Sequence, residues 1–321
     1  MRKIFLLVAI MLFVSPVSAD RGFVLDNVSV YGPGQRAIVA WNGSEEILIL
    51  STDLWAAENT RILEFIPLPS YPIVEKANFS SFEVIQDLIL EKAPPRKERA
   101  PLGIEIVFHE KLGLHDITVI KVNDVQEFIT WMQGFLTKMQ LEGNIYSPKL
   151  ESVLKKYFEN NMKYFVCDVI EIKQFVMTSE PILYDFKTDF LYYPLIVSSL
   201  ASGETEIVLF ALTPYKLTDL DINATKLSIA KYYDGTPMMF KLNKTELNNI
   251  HPALGRLFDS AWLTVLNYKG PVENLDNDLI LKLKFPFDPK MIVFIVMLLL
   301  AVIIVTYLFS IFILLSKKRK K

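Results

Sequence analysis

Two of the three histidines in this chain lie close together and are the residues best suited to metal or acid–base chemistry. His109 and Glu110 begin a pattern typical of zinc proteases, but Gly113 stands where that pattern requires its second histidine. His115 and Asp116 can still join His109 across a hairpin, because imidazole and carboxylate groups are zinc ligands. We therefore take His109, His115 and Asp116 as candidate metal ligands. The alternative is that these histidines hydrogen-bond locally in a loop.

Other apparent catalytic motifs lack the partners that their chemistry requires. Residues 32–37 read GPGQRA, a match to the dinucleotide fingerprint, but Pro33 and the β-branched residues that follow oppose the helix that must receive the pyrophosphate. Residues 152–155 spell Ser-x-x-Lys without the Lys-Thr-Gly or Ser-Asp-Asn elements that accompany it in known enzymes. Carboxylates are plentiful, but no pair of them is singled out. The sequence therefore predicts no cofactor and identifies no catalytic residue.

The N-terminus predicts export from the cytoplasm. Arg2 and Lys3 precede an apolar run over residues 4–14, and small residues at positions 17–19 suit signal peptidase. This order of charge, apolar core and small residues is typical of a secretory signal. Residues 1–19 are therefore predicted to be a signal peptide.

The C-terminus predicts a membrane anchor. Residues 291–315 form a stretch of 25 residues without a charge, and a basic tail follows at residues 316–321. At about 1.5 Å per residue, such a helix covers a hydrocarbon core of roughly 30 Å. Because the cations of the tail stay on the cytoplasmic side, we expect a single-pass plasma-membrane protein with residues 20–290 outside the cell.

The charge of the predicted extracytoplasmic domain excludes some partners. The whole chain has a formal net charge of −2, but residues 20–290 carry 27 basic and 36 acidic residues, a balance of −9. A surface of this sign does not favour nucleic acid. We expect the membrane as one partner through the C-terminal span, and a surface protein or glycan as another.

Cysteine and asparagine usage also bears on the compartment. Cys167 is the single cysteine, so no intrachain disulfide forms, which favours a bacterial or archaeal source for an exported domain of this size. Its setting in YFVCDVIEI predicts a buried, inert thiol. Five Asn-x-Ser/Thr sequons predict N-glycosylation and a cell-surface glycoprotein. The candidate acceptors are Asn27, Asn42, Asn78, Asn223 and Asn243.

The strand pattern predicts several hairpins. Asn42-Gly43 lies between two β-rich runs, and GIEIVFHEKLGLHDITVIKV looks like a second strand pair that turns near Gly113. Further strands are expected at YFVCDVIEI, at YYPLIVSSL before TEIVLFALTPY, and on both sides of Asp234-Gly235. Residues 64–74, EFIPLPSYPIV, contain three prolines and are predicted to be an edge strand or an extended connector, with a ligand groove as the alternative.

Two helices interrupt the strands. Apolar residues recur at helical spacing from Val125 to Met139 after a cap at Asn123 or Asp124, and Ser147-Pro148 opens the next helix. We expect these helices to form a hairpin that covers a sheet. Residues 92–101 read as a solvated loop, and residues 248–259 as polar and turn-rich.

These segments, in this order, resemble the family catalogued as domain of unknown function 2330. The likeness covers roughly residues 35–215 and includes AWNGSEEILILSTDL, ILEFIPLPSYPIVEKAN, GLHDITVIKVNDVQEFITWM, LESVLKKYFENNMKYFVCDVIEI and FLYYPLIVSSL. The resemblance implies an exported prokaryotic protein with a fixed proline-punctuated strand and a helix carrying Trp131. It also implies a Tyr-rich second helix that enters a strand, with Tyr157 and Tyr164 framing that entry. Family members carry an N-terminal cysteine cluster that this chain lacks. The family has no assigned activity.

Together these patterns predict an α+β fold: a β-rich ectodomain with a helical hairpin packed on the sheet, plus one C-terminal transmembrane helix. The main α+β unit is expected over residues 22–215 and a smaller β-rich subdomain over residues 216–290. We expect a membrane-anchored extracytoplasmic protein that serves as a surface binding or structural module. The alternative is a tethered ecto-hydrolase with a carboxylate-based or metal site.

Overall fold

The computed structural model describes residues 22–24, 30–95, 110–111, 115–141, 147–201, 203–282, 297–300, 302–304 and 306. The chain is a strand-rich α/β protein that divides into two compact units, Met1–Leu281 and Lys282–Lys321.

The strands are β1 Gly22–Val24, β2 Val30–Tyr31, β3 Gly34–Trp41, β4 Glu45–Ala56, β5 Thr60–Leu68, β6 Ile73–Lys76, β7 Glu110–Lys111, β8 Asp116–Lys121, β9 Tyr164–Ile172, β10 Met177–Thr178, β11 Ile182–Lys187, β12 Phe190–Tyr193, β13 Glu204–Thr213, β14 Ser228–Ile229, β15 Met239–Asn243, β16 Ser260–Pro271 and β17 Leu279–Lys282. The α-helices are α1 Ser80–Glu91, α2 Val125–Met139, α3 Pro148–Glu159, α4 Asp219–Ile222, α5 Lys244–Ile250 and α6 Pro252–Leu257, with 3₁₀ helices at Ile196–Leu200 and Val272–Asn274.

One large sheet dominates the first unit. Its central order is β14-β16-β13-β3-β4-β10-β7, with β11 and β6 extending one side of β4. β3 and β4 form the hairpin predicted at Asn42-Gly43, and β13 pairs parallel to β3 and antiparallel to β16. β3 and β4 are buried almost without interruption, because both faces of the sheet are covered.

The two faces of the large sheet belong to different hydrophobic cores. Along β3, Ala37 and Val39 contribute to the larger core, while Ile38 and Ala40 contribute to a core that also holds residues of α1, α5 and α6. Successive strand residues point to opposite faces. The alternation in β3 therefore places α1, α5 and α6 on one side of the large sheet and the larger core on the other.

A second sheet, in the order β1-β5-β9-β8, completes the larger core. α2 and α3 contact each other, and Phe128 of α2 packs against Phe65 of β5 and Phe165 of β9 with ring centroids 5.3 and 4.7 Å apart. The predicted bounds and caps of these helices are confirmed, since the side chain of Asp124 accepts from Glu127 N and that of Ser147 accepts from Leu150 N. Cys167 of β9 is fully buried, and burial raises the pKa of its thiol.

The proline-rich segment is the crossing between the two sheets. β5 has β1 as a neighbour only from Leu63 to Phe65, so Pro67 lies beyond the part of β5 that β1 covers. After Pro69 and Pro72 the chain continues as β6, which pairs with β11 of the large sheet. Proline is tolerated here because no ladder hydrogen bond to a second neighbour is lost.

The predicted fold class needs correction. The α+β arrangement with a helical hairpin over one sheet is replaced by a mixed α/β architecture in which the large sheet dominates. The predicted strand pair around Gly113 is wrong for the described residues, because β7 pairs with β10 and β8 pairs with β9. Part of YYPLIVSSL is a 3₁₀ helix, and residues 252–257 form α6, whose N-cap is His251.

The predicted transmembrane helix is also wrong for the part of the chain that the structure describes. A span needs about 20 consecutive apolar residues, and no helix among the described residues is both long and apolar enough to cross a membrane. The predictions of a membrane anchor, a membrane partner and a plasma-membrane location are corrected on this finding. Most of residues 291–315, the signal peptide at residues 1–19 and the tail at residues 316–321 lie outside the described residues.

Two further predictions concern the strands after residue 216 and the loop at residues 92–101. Strands after residue 216 pair within the large sheet, since β14 and β15 both pair with β16. The loop predicted over residues 92–101 is described as far as Pro95, whose carbonyl oxygen accepts a hydrogen bond of 2.6 Å from Tyr233 Oη.

Candidate functional site

A cleft of about 440 Å³ lies between β6 of the large sheet and β8 of the smaller sheet. β6 and the residues before it supply one wall, and β8 with the residue before it supplies the other. The cleft is lined by Tyr71, Pro72, Ile73, Val74, Glu75, Lys76, His115, Ile117, Val119 and Ile182. Five of these ten residues are aliphatic, and Tyr71, Glu75, Lys76 and His115 bring polar groups, a mixture found in ligand sites.

Both walls are strand edges. Among the described strands, β6 pairs only with β11, and β8 pairs only with β9. Ala77 N donates to Pro181 O beyond β6, and Val122 N donates to Lys163 O beyond β8. Because hydrogen-bonded residues alternate along an antiparallel strand, the backbone groups of Val74 and Lys76 point away from β11.

The same alternation applies to β8. Counting from the bond at Val122, the backbone groups of Ile117, Val119 and Lys121 point away from β9. Two sets of backbone donors and acceptors are therefore directed outward from the strands that line the cleft. Such edges are the places where an additional strand can pair.

The rim of the cleft carries exposed apolar side chains. Tyr71 is 65% exposed and Ile73 is 59% exposed, which is high for residues of this size. The Tyr71 ring meets the Tyr164 ring edge to face at a centroid distance of 6.0 Å, and Lys121 Nζ lies 5.5 Å from the centroid of Tyr164. These contacts hold the rim at the end of the cleft where β9 begins.

His115 is the buried polar residue of the cleft wall. Its side chain is 2% exposed, and its Nδ1 is hydrogen-bonded to Oδ2 of Asp168 on β9, whose side chain is 4% exposed. The other ring nitrogen, Nε2, is buried and has no hydrogen-bond partner among the described residues. An unsatisfied buried polar atom costs about 1–3 kcal/mol, so Nε2 is a position where a partner would be stabilising.

Asp168 and His115 share one face of the smaller sheet with Glu64. Asp168 lies opposite Glu64 of β5 and opposite Ile117 of β8 in the strand register. His115 is two residues from Ile117 and therefore points to the same face. Glu64 is fully buried. The register thus places Glu64 and Asp168 side by side on neighbouring strands, on the face of the sheet to which His115 points.

The predicted metal ligands do not come together in the described structure. His115 pairs with Asp168, while Asp116 is exposed and follows His115 directly, so it points to the opposite face of β8. His109 lies outside the described residues. Within the described ranges, no group of three or more His, Cys, Asp or Glu side chains is placed to hold a metal ion. The metal site stays a prediction from the sequence.

The sequon asparagines are dispersed. Asn78, Asn223 and Asn243 are exposed, Asn42 is half-buried, and Asn27 lies outside the described residues. Three of them also stabilise local structure, because Asn42 Oδ1 accepts from Glu45 N, Asn78 Oδ1 from Ser80 N and Asn243 Oδ1 from Glu246 N. They form no common site.

A second acidic cluster, of the half-buried Asp278 and the buried Glu46, lies elsewhere in the unit. Asp278 Oδ1 accepts from Ile196 N at 2.7 Å and from Tyr157 Oη at 3.4 Å, and its Oδ2 accepts from Tyr192 Oη at 3.3 Å. Burial raises the pKa of Asp278 to about 7, against these hydrogen bonds, which lower it. Glu46 accepts from Tyr192 N, and burial raises its pKa as well. Neither carboxylate lines the cleft between β6 and β8.

Sequence reasoning singled out His115 but missed Asp168 and Glu64. Both acids sit inside apolar strand runs, LEF and CDV, where a charged residue at a buried position is the one available signal. The position of these acids relative to His115 depends on the register of β5, β9 and β8. That register is not encoded in any local motif.

Comparison with known proteins identifies no family for this chain. No protein-family model matches it, and no curated protein matches it. The crystal structure of baculovirus P35 is 8% identical with a TM-score of 0.41, covering 80% of this chain and 97% of that one. A mutated baculovirus P35 after caspase cleavage is 8% identical with a TM-score of 0.38, covering 78% and 99%.

A third solved structure is described as a nutrient-binding protein from Legionella pneumophila. It is 11% identical with a TM-score of 0.24, covering 81% of this chain and 70% of that one. At these identities and TM-scores, the likenesses define neither the fold nor the function of this chain. The resemblance to domain of unknown function 2330 stays a prediction.

Proposed function

We propose that this protein is a binding protein whose ligand is an extended polypeptide segment held in the cleft between β6 and β8. The observation that carries the proposal is the pair of strand edges that line the cleft, with backbone groups of Val74, Lys76, Ile117 and Val119 directed outward. In strand addition, main-chain hydrogen bonds supply affinity, and alternate side chains enter pockets that supply specificity.

The side chains of the cleft support the same proposal. Ile73 and Tyr71 give an exposed apolar rim, and Ile117, Val119 and Ile182 give an apolar wall. An extended segment presents alternate side chains to one face, so apolar residues at every second position match this wall. β6 is short, with four residues, which limits the added strand to a short segment.

The proposal is tested with phage-displayed random 12-residue peptides selected on the purified chain. We expect enriched sequences with apolar residues at every second position. The Lys76→Pro variant should bind these peptides about tenfold more weakly, because proline removes an outward backbone donor. The pairing of β6 with β11 is kept, since the N–H of Lys76 does not point toward β11. Fluorescence anisotropy of labelled synthetic peptides gives the affinities.

Lys76→Ala is the matched control, because it removes the same exposed side chain and keeps the N–H. Its affinity should stay within about twofold of the unaltered chain. Equal affinities for the proline and alanine variants, or a selection that enriches no alternating sequence, would count against strand addition.

A second candidate function, peptide hydrolysis, is favoured by the His115–Asp168 pair alone. Here His115 Nε2 would take a proton from a water whose oxygen adds to the peptide carbonyl, and would pass that proton to the leaving amine as the C–N bond breaks. Mass spectrometry of the selected peptides after incubation separates the two candidates. Cleaved products that disappear in His115→Gln support hydrolysis, and intact peptides support binding.

A further inference from the structure

We infer that His115 is a specificity-determining residue of the cleft and that its Nε2 accepts a hydrogen bond from a hydroxyl group of the ligand. This inference rests on the proposed function of the cleft as a ligand site. It adds the chemical group that the site selects: a hydroxyl-bearing side chain, such as that of serine, threonine or tyrosine, within an otherwise apolar segment.

The carboxylate of Asp168 sets the hydrogen-bonding role of His115. A carboxylate oxygen accepts hydrogen bonds, so we assign the imidazole proton of His115 to Nδ1, which donates it to Asp168 Oδ2. In the neutral imidazole, the other nitrogen then carries a lone pair. Asp168 is therefore a positioning residue, which holds the ring in the tautomer that presents Nε2 as an acceptor.

The surroundings of His115 make this acceptor selective. Val74, Ile117, Val119 and Ile182 line the same cleft as His115 and offer no side-chain donor, while Tyr71 and Lys76 of the same lining do. Nε2 is buried and has no hydrogen-bond partner among the described residues. A ligand that brings a hydroxyl satisfies the nitrogen, whereas an apolar ligand of the same shape leaves it unsatisfied. A buried polar group discriminates against the analogue that lacks its partner.

Phenol and anisole are the probes, because both are small aromatic molecules and anisole lacks the O–H donor. The chain is labelled with ¹⁵N at its three histidines, and the His115 signals are assigned by their loss in His115→Phe. We expect phenol to shift the Nε2 resonance of His115 at about tenfold lower concentration than anisole does, as the loss of one hydrogen bond predicts. Equal responses to the two probes, or none to phenol, would overturn the inference.

The Asp168→Asn variant tests the positioning role with a spectroscopic signature. An asparagine amide can donate to Nδ1 and move the imidazole proton to Nε2. We expect the ¹⁵N shifts of His115 to report the exchanged tautomer and the preference for phenol to be lost. An unchanged tautomer together with an unchanged preference would show that Asp168 does not position the ring.

The outcomes separate this inference from the proposed function. If alternating peptides are enriched but those with a hydroxyl residue have no advantage, the strand-addition proposal stands and the role of His115 falls. If phenol is preferred over anisole but no peptide is enriched, the hydroxyl subsite stands and the polypeptide ligand falls. The comparison of the two probes on the unaltered chain does not depend on whether any variant folds.

Discussion

Asp53 is held at the centre of a buried ion pair in the large sheet. Arg36 donates from both terminal nitrogens to the two carboxylate oxygens, at 2.9 and 2.8 Å, and Thr178 Oγ1 donates to Oδ1 at 2.8 Å. Gly34 is the residue of β3 beside this carboxylate. A Cβ at position 34 would lie 2.6 Å from Asp53 Oδ2, closer than real contacts allow. Gly34, the second glycine of GPGQRA, thus leaves room for the ion pair of Arg36 and Asp53 rather than forming a phosphate site.

Gly34→Ala is therefore expected to destabilise the protein. The added methyl displaces the Asp53 carboxylate from Arg36, and overpacking of this kind costs about 1–3 kcal/mol. Urea unfolding monitored by circular dichroism measures the change in the free energy of unfolding.

Gly134→Ala is the control with the opposite expected sign. Gly134 lies within α2, and no atom lies within 4 Å of a Cβ built there. Alanine should therefore stabilise the helix by up to about 1 kcal/mol. If Gly34→Ala were as stable as the unaltered chain, the close approach of Gly34 to Asp53 would not describe the folded protein.

At the scale of elements, Asp278 joins four segments. Its carboxylate accepts from Tyr157 of α3, Tyr192 of β12 and Ile196 of the 3₁₀ helix, and it directly precedes β17. β12 and β17 pair as a separate two-stranded sheet. The carboxylate is thus the polar centre of a region held together otherwise by apolar packing.

The pKa of about 7 for Asp278 predicts a pH dependence of stability. The folded pKa lies above the ordinary value of 3.8, so the folded state binds the proton more tightly than the unfolded state does. The contribution is fully present below about pH 4 and is lost as the pH rises to about 7, with a loss of up to about 4 kcal/mol. Asp278→Asn should remove this part of the pH dependence, as measured by urea unfolding between pH 4 and pH 8.

Asp276→Asn is the matched control, because Asp276 is exposed and lies two residues away. It should keep the pH profile of the unaltered chain. A profile of Asp278→Asn that runs parallel to the unaltered chain over this range would mean that Asp278 does not titrate there.

The elements show which features the sequence can predict. Asn42-Gly43, the cap at Asp124 and Ser147-Pro148 are local signals, and the hairpin and both helices are found where these signals stand. The predicted pairing of β8 was wrong, because β8 pairs with β9, which follows in the chain only after α2 and α3. Residues 252–257 lie in a segment predicted to be turn-rich, but they form α6, whose N-cap is His251. The start of this helix was missed because histidine is not a typical capping residue.

The candidate site also combines a residue that the sequence singles out with an arrangement that depends on long-range pairing. His115 was singled out by residue type, but the cleft exists because β6 and β8 come from different sheets. The acids Asp168 and Glu64 are placed by a register between strands far apart in sequence. Such long-range pairing is decided by the packing of the whole unit and cannot be derived from local periodicity.

For the whole molecule, β16 makes the large sheet depend on residues late in the chain. It pairs with β13 over ten residues, from Glu204 opposite Pro271 to Thr213 opposite Trp262. β16 also supplies the fully buried Leu263 and Val265 to the core that α1, α5 and α6 share. The central strands therefore lose a neighbour and a core layer if β16 is absent.

A fragment of residues 22–215 is accordingly expected not to fold. Without β16, the apolar edge of β13 is exposed. The free energy lost with several buried aliphatic side chains exceeds a typical free energy of unfolding of about 5–15 kcal/mol. A chain that ends at Lys282 should fold. Circular dichroism and size-exclusion chromatography compare the two, and a monomeric fragment with cooperative thermal unfolding would establish residues 22–215 as an independent domain.

The parallel pairing of β3 with β13 has a consequence for synthesis on the ribosome. Ile38 lies opposite Phe210, so β3 leaves the ribosome long before its partner exists. At about 5–20 residues per second, the delay is roughly 10–30 s. During that interval the β3–β4 hairpin presents an apolar strand edge, which is a template for aggregation. The nascent chain is therefore expected to be prone to aggregation until translation passes Thr213.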